Sequence, residues 1–203
     1  MLTVGLTGSI GMGKSATAQI LRDADIPVFD SDAAVHALYA PGGAAVEPVG
    51  RAFPGVVVDG AIDRSRLSDA LKADPDGFEI LEEIVHPLVS AAREAFVREN
   101  QAAGHDILVF DVPLLFETGG EARVDAVIVV HAPDAVRRAR VMQRPGMTEA
   151  KLEAIIARQL DDSSKLSRAD FVVETSGGLD DARRQVADII DALKQRLTND
   201  GAR

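Results

Sequence analysis

Near the start of the chain, Gly8-Ser9-Ile10-Gly11-Met12-Gly13-Lys14-Ser15 matches the phosphate-loop pattern G-x-x-x-x-G-K-[ST] at every fixed position. The apolar run Leu2 to Thr7 precedes it, and Ala16, Ile20 and Leu21 follow at helical spacing. A loop of this type therefore sits between a predicted strand and a predicted helix. Glycines let the backbone wrap around phosphate oxygens, amides at the helix start point at the anion, and the helix dipole adds favourable potential. Lys14 is placed to reach the β and γ phosphates of a nucleotide, and the Ser15 hydroxyl to ligate Mg²⁺. A glycine-rich turn that binds nothing would need Gly8, Gly13, Lys14, Ser15 and both flanking elements to coincide by chance.

Four more short apolar runs read as strands: Ile26 to Phe29, Ile107 to Phe110, Ala126 to Val130 and Phe171 to Val173. Alternating with helices, they predict an α/β fold with a five-stranded parallel sheet flanked by helices, of the P-loop nucleoside-triphosphate-hydrolase type. Ligands bind beyond the carboxyl ends of such strands. Residues 35–104 break the pattern. Pro41-Gly42-Gly43, Phe53-Pro54-Gly55 and Asp74-Pro75-Asp76-Gly77 separate helical segments there, with no buried strand expected. We read this stretch as a helical substrate-side insertion. Residues 137–168 read as a helix broken at Pro145-Gly146 and followed by another, with eight Lys or Arg against four acids. Such a basic element suits a lid over phosphates. The nucleotide-binding core is then 1–34, 105–136 and 169–203.

Formal net charge is −10, which disfavours nucleic acid and anionic membranes as partners and favours a small ligand. The absence of cysteine excludes thiol chemistry and a disulfide framework. No apolar stretch reaches the length of a membrane span, so a soluble, cytoplasmic protein is expected.

Asp30-Ser31-Asp32 follows the second strand, on the rim where the phosphate loop also falls. A carboxylate there can orient a substrate hydroxyl and accept its proton, and Asp32 is the better candidate; either residue also suits a helix N-cap, with Asp30 favoured for that. Arg137, Arg140 and Arg144 recur at i, i+3 and i+7, near one helix face. Arg144, next to Pro145-Gly146, is placed to close over a γ phosphate, while the first two read equally well as a solvated cationic helix end. Arg158 is a weaker candidate of the same kind.

These residues resemble those of the dephospho-CoA kinase family. The resemblance spans the chain and rests on Thr7 to Ser15, Asp30-Ser31-Asp32 with His36, His86-Pro87, Pro113-Leu114-Leu115-Phe116-Glu117, Gln143-Arg144, Gln159 and Ala169-Asp170-Phe171-Val172. It implies ATP-dependent phosphorylation of the ribose 3′-hydroxyl of dephospho-CoA, giving coenzyme A and ADP. It also implies that Asp32 is catalytic, that Lys14 and Arg144 hold the transferring phosphoryl group, and that Gly11 to Ala16 form the ATP loop. His36, His86 and the Pro113 to Glu117 turn would border the dephospho-CoA pocket. Alternatively, His36 faces solvent or caps its helix, His86 marks a helix boundary, and Leu114, Leu115 and Phe116 belong to the core. Asp111 is open between a Mg²⁺-shell carboxylate and a cap.

Three positions depart from the family pattern: Ser9 replaces a usual glycine, Met12 a usual serine, and Thr175 a common asparagine near the expected adenine. The last bears on base selectivity. The rival readings are a P-loop kinase for another small hydroxyl or nucleotide substrate, and a nucleotide-dependent switch. Neither D-x-x-G after the third strand nor N-K-x-D is present, which disfavours the switch.

Overall fold

The computed structural model describes residues 1–200, so residues 201–203, the end of the expected core, lie outside it. The chain folds as two compact units. One comprises Met1–Phe29 with the chain from Asn100 onward, and the other is Asp30–Glu99.

The first unit is built on strands β1 (Leu2–Thr7), β5 (Ile107–Asp111), β6 (Ala126–His131) and β7 (Phe171–Glu174), with β2 (Val28–Asp30) entering at one edge. The five strands form a parallel sheet in the order β2-β5-β1-β6-β7. β1 lies at the centre, with Val4 opposite Val109 on one side and Ala126 on the other. Because helices cover both faces, β5 and β6 are buried almost throughout, which is why they read as unbroken apolar runs. Helices α1 (Lys14–Asp23) and α9 (Leu179–Asp200) pack Ala18, Leu21, Val186, Ile190 and Leu193 against Val4, Leu6, Ile128 and Val130. Leu6 is fully buried, so truncation to alanine would cost roughly 2–5 kcal/mol. β1 and β5 end side by side, where Val112 N donates to Leu6 O at 3.0 Å.

The segment expected to be two helices is three: α6 (Asp134–Met142), α7 (Glu149–Ile156) and α8 (Asp162–Ser167). Helix α6 stops at Met142, before Pro145-Gly146, so Arg144 lies in the following turn and the expected shared face of Arg137, Arg140 and Arg144 is not formed.

The second unit contains α2 (Ser31–Tyr39), α3 (Val46–Ala52), α4 (Arg64–Ala73) and most of α5 (Gly77–Ala102) around Ala45, Val49, Phe53, Leu67 and Leu71. It is not purely helical. β3 (Val57–Val58) and β4 (Ala61–Ile62) form an antiparallel hairpin. Its turn is Asp59-Gly60, both at positive φ (50° and 78°), the dipeptide favoured in two-residue hairpins. Pro87 lies inside α5, so His86-Pro87 does not mark a helix boundary; the helix runs on without the hydrogen bond that the Pro87 nitrogen cannot donate.

Candidate functional site

The phosphate loop joins β1 to α1. Gly11 and Gly13 adopt φ of 78° and 99°, a region closed to most residues, and a Cβ on Gly11 would come within 2.5 Å of Val141 Cγ2. Met12 turns its side chain into the core, 1% exposed, and Ala132 N donates to its Sδ at 3.1 Å. The loop is thereby anchored at its middle, and Met12 offers a ligand its backbone only.

Helix α1 begins at Lys14 with Gly13 as N-cap, no side-chain cap and no acid in its first turn. By contrast Asp30, Asp63, Thr148 and Asp161 each accept from a backbone N–H at the starts of α2, α4, α7 and α8. The α1 start keeps its N–H groups and positive dipole end for an anion. Lys14 Nζ donates to Asp111 Oδ1, and Ser15 is exposed on the first turn. Asp111, 4% exposed at the end of β5, pairs with the loop lysine. Asp111 and Ser15 supply the hard oxygens that suit Mg²⁺. No group of three or more His, Cys, Asp or Glu able to hold a metal occurs among the described residues, so such an ion would take most of its oxygens from nucleotide and water.

Side chains from outside the loop hold it in place. Thr175 Oγ1 donates to Met12 O at 2.7 Å and accepts from Arg140 Nη1 at 2.8 Å, while Arg140 Nη2 donates to Thr175 O at 2.7 Å. The Thr175 hydroxyl is thus committed to the loop. On the other side, Ser9 Oγ donates to Asp162 Oδ1 at 2.6 Å, Ile10 N donates to Gln159 Oε1 at 3.1 Å, and Lys165 Nζ donates to Ser9 Oγ at 3.2 Å. Lys165 is 1% exposed and pairs with Glu117 Oε1 at 3.0 Å, an oxygen that also accepts from Leu160 N at 2.8 Å. Burial alone would raise the Glu117 carboxyl, but the Leu160 N–H and the Lys165 ammonium outweigh it and hold it below the usual carboxylate range.

The cations of residues 137–168 do not act alike. Arg137 is buried and pairs with Asp134 and with Asp162 at 2.9 Å, and Arg138 pairs with Asp134, Glu149 and Glu153. Arg137 and Arg140 are therefore structural bonds, not a solvated helix end. Arg144 and Arg158 are exposed, and neither forms an ion pair among the described residues.

Asp32, His36 and His86 belong to the second unit, and Leu114, Leu115 and Phe116 to the first. Asp30 caps α2, its Oδ1 accepting from Ala33 N at 2.9 Å, which leaves the Asp32 carboxylate without a hydrogen bond among the described residues. Asp32 and His36, at i and i+4 on α2, share a helix face; both are exposed, as is His86 on α5. Leu115 and Phe116 are core residues, while Leu114 remains 42% exposed.

Sequence reasoning missed the Lys165–Glu117 pair and the Ser9–Asp162 and Arg140–Thr175 bonds. Their partners lie far apart in the chain, and a lysine in a short helix reads as solvated. No local signal identifies them.

A parallel sheet with a phosphate loop after its central strand defines a nucleotide-binding protein of the P-loop class, and the relatives it matches make it a kinase, a phosphotransferase. The family model for dephospho-CoA kinase matches residues 2–181. A dephospho-CoA kinase of Rhodopseudomonas palustris is 52% identical over 192 residues, covering 95% of this chain and 96% of the relative. One from Mesorhizobium japonicum is 52% identical over 194 residues, covering 96% and 98%. A solved Thermus thermophilus structure is 35% identical with a TM-score of 0.77, covering 95% of this chain and 97% of that one. The dephospho-CoA kinase of Campylobacter jejuni, 23% identical with a TM-score of 0.70, shares the fold. The chain belongs to the dephospho-CoA kinase family.

Proposed function

We propose that this protein transfers the γ-phosphoryl group of ATP to the ribose 3′-hydroxyl of dephospho-CoA, giving coenzyme A and ADP. The observation that carries the reading is the uncapped start of α1 under the phosphate loop, with Lys14 and Asp111 beside it, in a chain of this family.

Gly8, Gly11, Met12, Gly13 and Ala16 hold the nucleotide phosphates through backbone amides, and Lys14 leaves Asp111 for the β and γ oxygens. Ser15 would hold Mg²⁺, which when bound would supply neutralisation of phosphate charge. Asp32 orients the acceptor hydroxyl and takes its proton as the oxygen bonds to the γ phosphorus and the bond to ADP breaks. Its lack of other partners suits that work. Arg144, likewise unpaired, reaches onto the charge developing on the phosphoryl group from the turn after α6, in the part of the expected 137–168 lid that is not bonded to the phosphate loop. His36, on the Asp32 face of α2, and His86 border dephospho-CoA, and Glu117 borders it with the part of its carboxylate that Lys165 and Leu160 do not engage. The second unit, which takes in most of the expected insertion 35–104, is the acceptor-side domain.

We place the reaction in the cytosol, with neither membrane nor nucleic acid as partner. Among the described residues no helix is long and apolar enough to cross a membrane, and the net charge of −10 repels polyanions. The test is a substrate panel in a coupled ADP assay. ADP formation that requires both dephospho-CoA and Mg²⁺ is expected; equal turnover of other small hydroxyl acceptors, or slow acceptor-independent hydrolysis, would refute the assignment.

A further inference from the structure

Lys165, 1% exposed, is not among the expected site residues. Its ammonium lies between two acceptors, Glu117 Oε1 at 3.0 Å and Ser9 Oγ at 3.2 Å. Ser9 passes the bond on, donating to Asp162 Oδ1 at 2.6 Å, while Arg137 Nη1 holds the second oxygen of Asp162 at 2.9 Å. One turn away, Gln159 accepts from Ile10 N. Residues 159–165 therefore fix the first half of the phosphate loop, Ser9 and Ile10, as Thr175 and Arg140 fix the second half at Met12. A buried ion pair adds little net stability over apolar residues of similar volume, yet it sets direction and distance strictly. Fixing those is what a loop needs if its amides are to meet phosphate oxygens without rearranging.

We propose that Lys165 is a positioning residue for the phosphate donor: through Ser9, and braced by Glu117, it sets the phosphate loop in its binding geometry. This rests on the nucleotide reading of the loop. Lys165 carries the effect because its ammonium joins the Glu117 turn, α8 and the loop at one point, so its loss releases Ser9 from one side. Ser9→Ala removes the hydroxyl but leaves the Lys165–Glu117 pair intact. It therefore tests the loop limb even if Lys165→Met fails to fold.

The experiment is fluorescence titration of full-length protein with Mg²⁺–ADP and, separately, with dephospho-CoA, for wild type, Ser9→Ala, Lys165→Met, the double variant and Arg183→Ala. The ADP Kd should rise about tenfold for Ser9→Ala, which loses the bonds to both Lys165 and Asp162, and about threefold for Lys165→Met, which loses one of them, the range for ordinary hydrogen bonds. The double variant should be no worse than Ser9→Ala, which already removes the contact through which Lys165 acts. Dephospho-CoA Kd should stay within about twofold throughout, and Arg183→Ala, which breaks an exposed ion pair with Asp180 on α9, should leave ADP affinity unchanged. A merely structural role would lower the folded fraction without moving a titration midpoint. An ADP Kd unchanged in Ser9→Ala, or additive losses in the double variant, would overturn the proposal. Failure of the wild type to bind ADP would instead refute the nucleotide reading.

Discussion

Truncating Glu117 to alanine would leave the Lys165 ammonium, 1% exposed, without its carboxylate at 3.0 Å and Leu160 N–H without its acceptor at 2.8 Å. Breaking a fully buried pair from one side costs about 3–5 kcal/mol. Part of the Glu117 carboxylate reaches solvent and the Ser9 hydroxyl still accepts from Lys165, so roughly 2–3 kcal/mol is expected here. For a chain of 203 residues this lowers the Tm of the sheet unit by about 4–12 °C. Glu117→Gln keeps an acceptor for Leu160 and loses the charge, and should fall by about half as much. The loss must also depend on pH. The folded carboxyl titrates below its ordinary value of 4.5, so its contribution is present above that value and disappears as pH falls through the folded one. Thermal unfolding followed by circular dichroism, without nucleotide, should therefore show the full gap between wild type and Glu117→Gln at pH 7 and a narrowing gap below about pH 4. A gap below about 1 °C at pH 7, or one independent of pH, would refute the buried-pair reasoning.

Asp32→Asn should lower kcat by about two to four orders of magnitude with the Kd for ADP within twofold, read by stopped-time assays and titration; unchanged turnover would remove Asp32 from its role. Arg144→Ala should reduce kcat with little change in KM for either substrate, as expected of a contact made chiefly in the transition state. A pure KM effect would contradict lid closure over the transferring group. Chelation with EDTA should abolish turnover, and added Mg²⁺ should restore it; full activity in chelator would contradict a metal held by Ser15.

Elements whose information is local were legible in the sequence. The phosphate loop combines a backbone that only glycine allows at Gly11 and Gly13 with flanking apolar periodicities, so strand, loop and helix could be read together. Strands β5 and β6 were equally plain, because burial on both faces leaves no polar alternation to obscure them. Asp30 as the α2 cap followed from local hydrogen-bonding preference. The Asp59-Gly60 hairpin carried a local signal too, but its two-residue strands fall below the length that periodicity resolves. The end of α6 at Met142 separated Arg144 from its expected helix face, since a proline signal fixes a break only to within a few residues. The roles of Arg137, Arg140 and Lys165 were not legible: each is a cation bonded to an acid, a hydroxyl or a carbonyl that lies many residues away in the chain, Asp162, Thr175 and Glu117 respectively. Ser9 and Thr175, departures from the family pattern, proved to be bonds that hold the loop.

The central claim is tested most directly by following the phosphoryl group itself. With γ-labelled ATP, Mg²⁺ and dephospho-CoA, the label should appear on the ribose 3′ oxygen of the product and be released by a 3′-specific nucleotidase. Label recovered as inorganic phosphate, or on another position or acceptor, would contradict it.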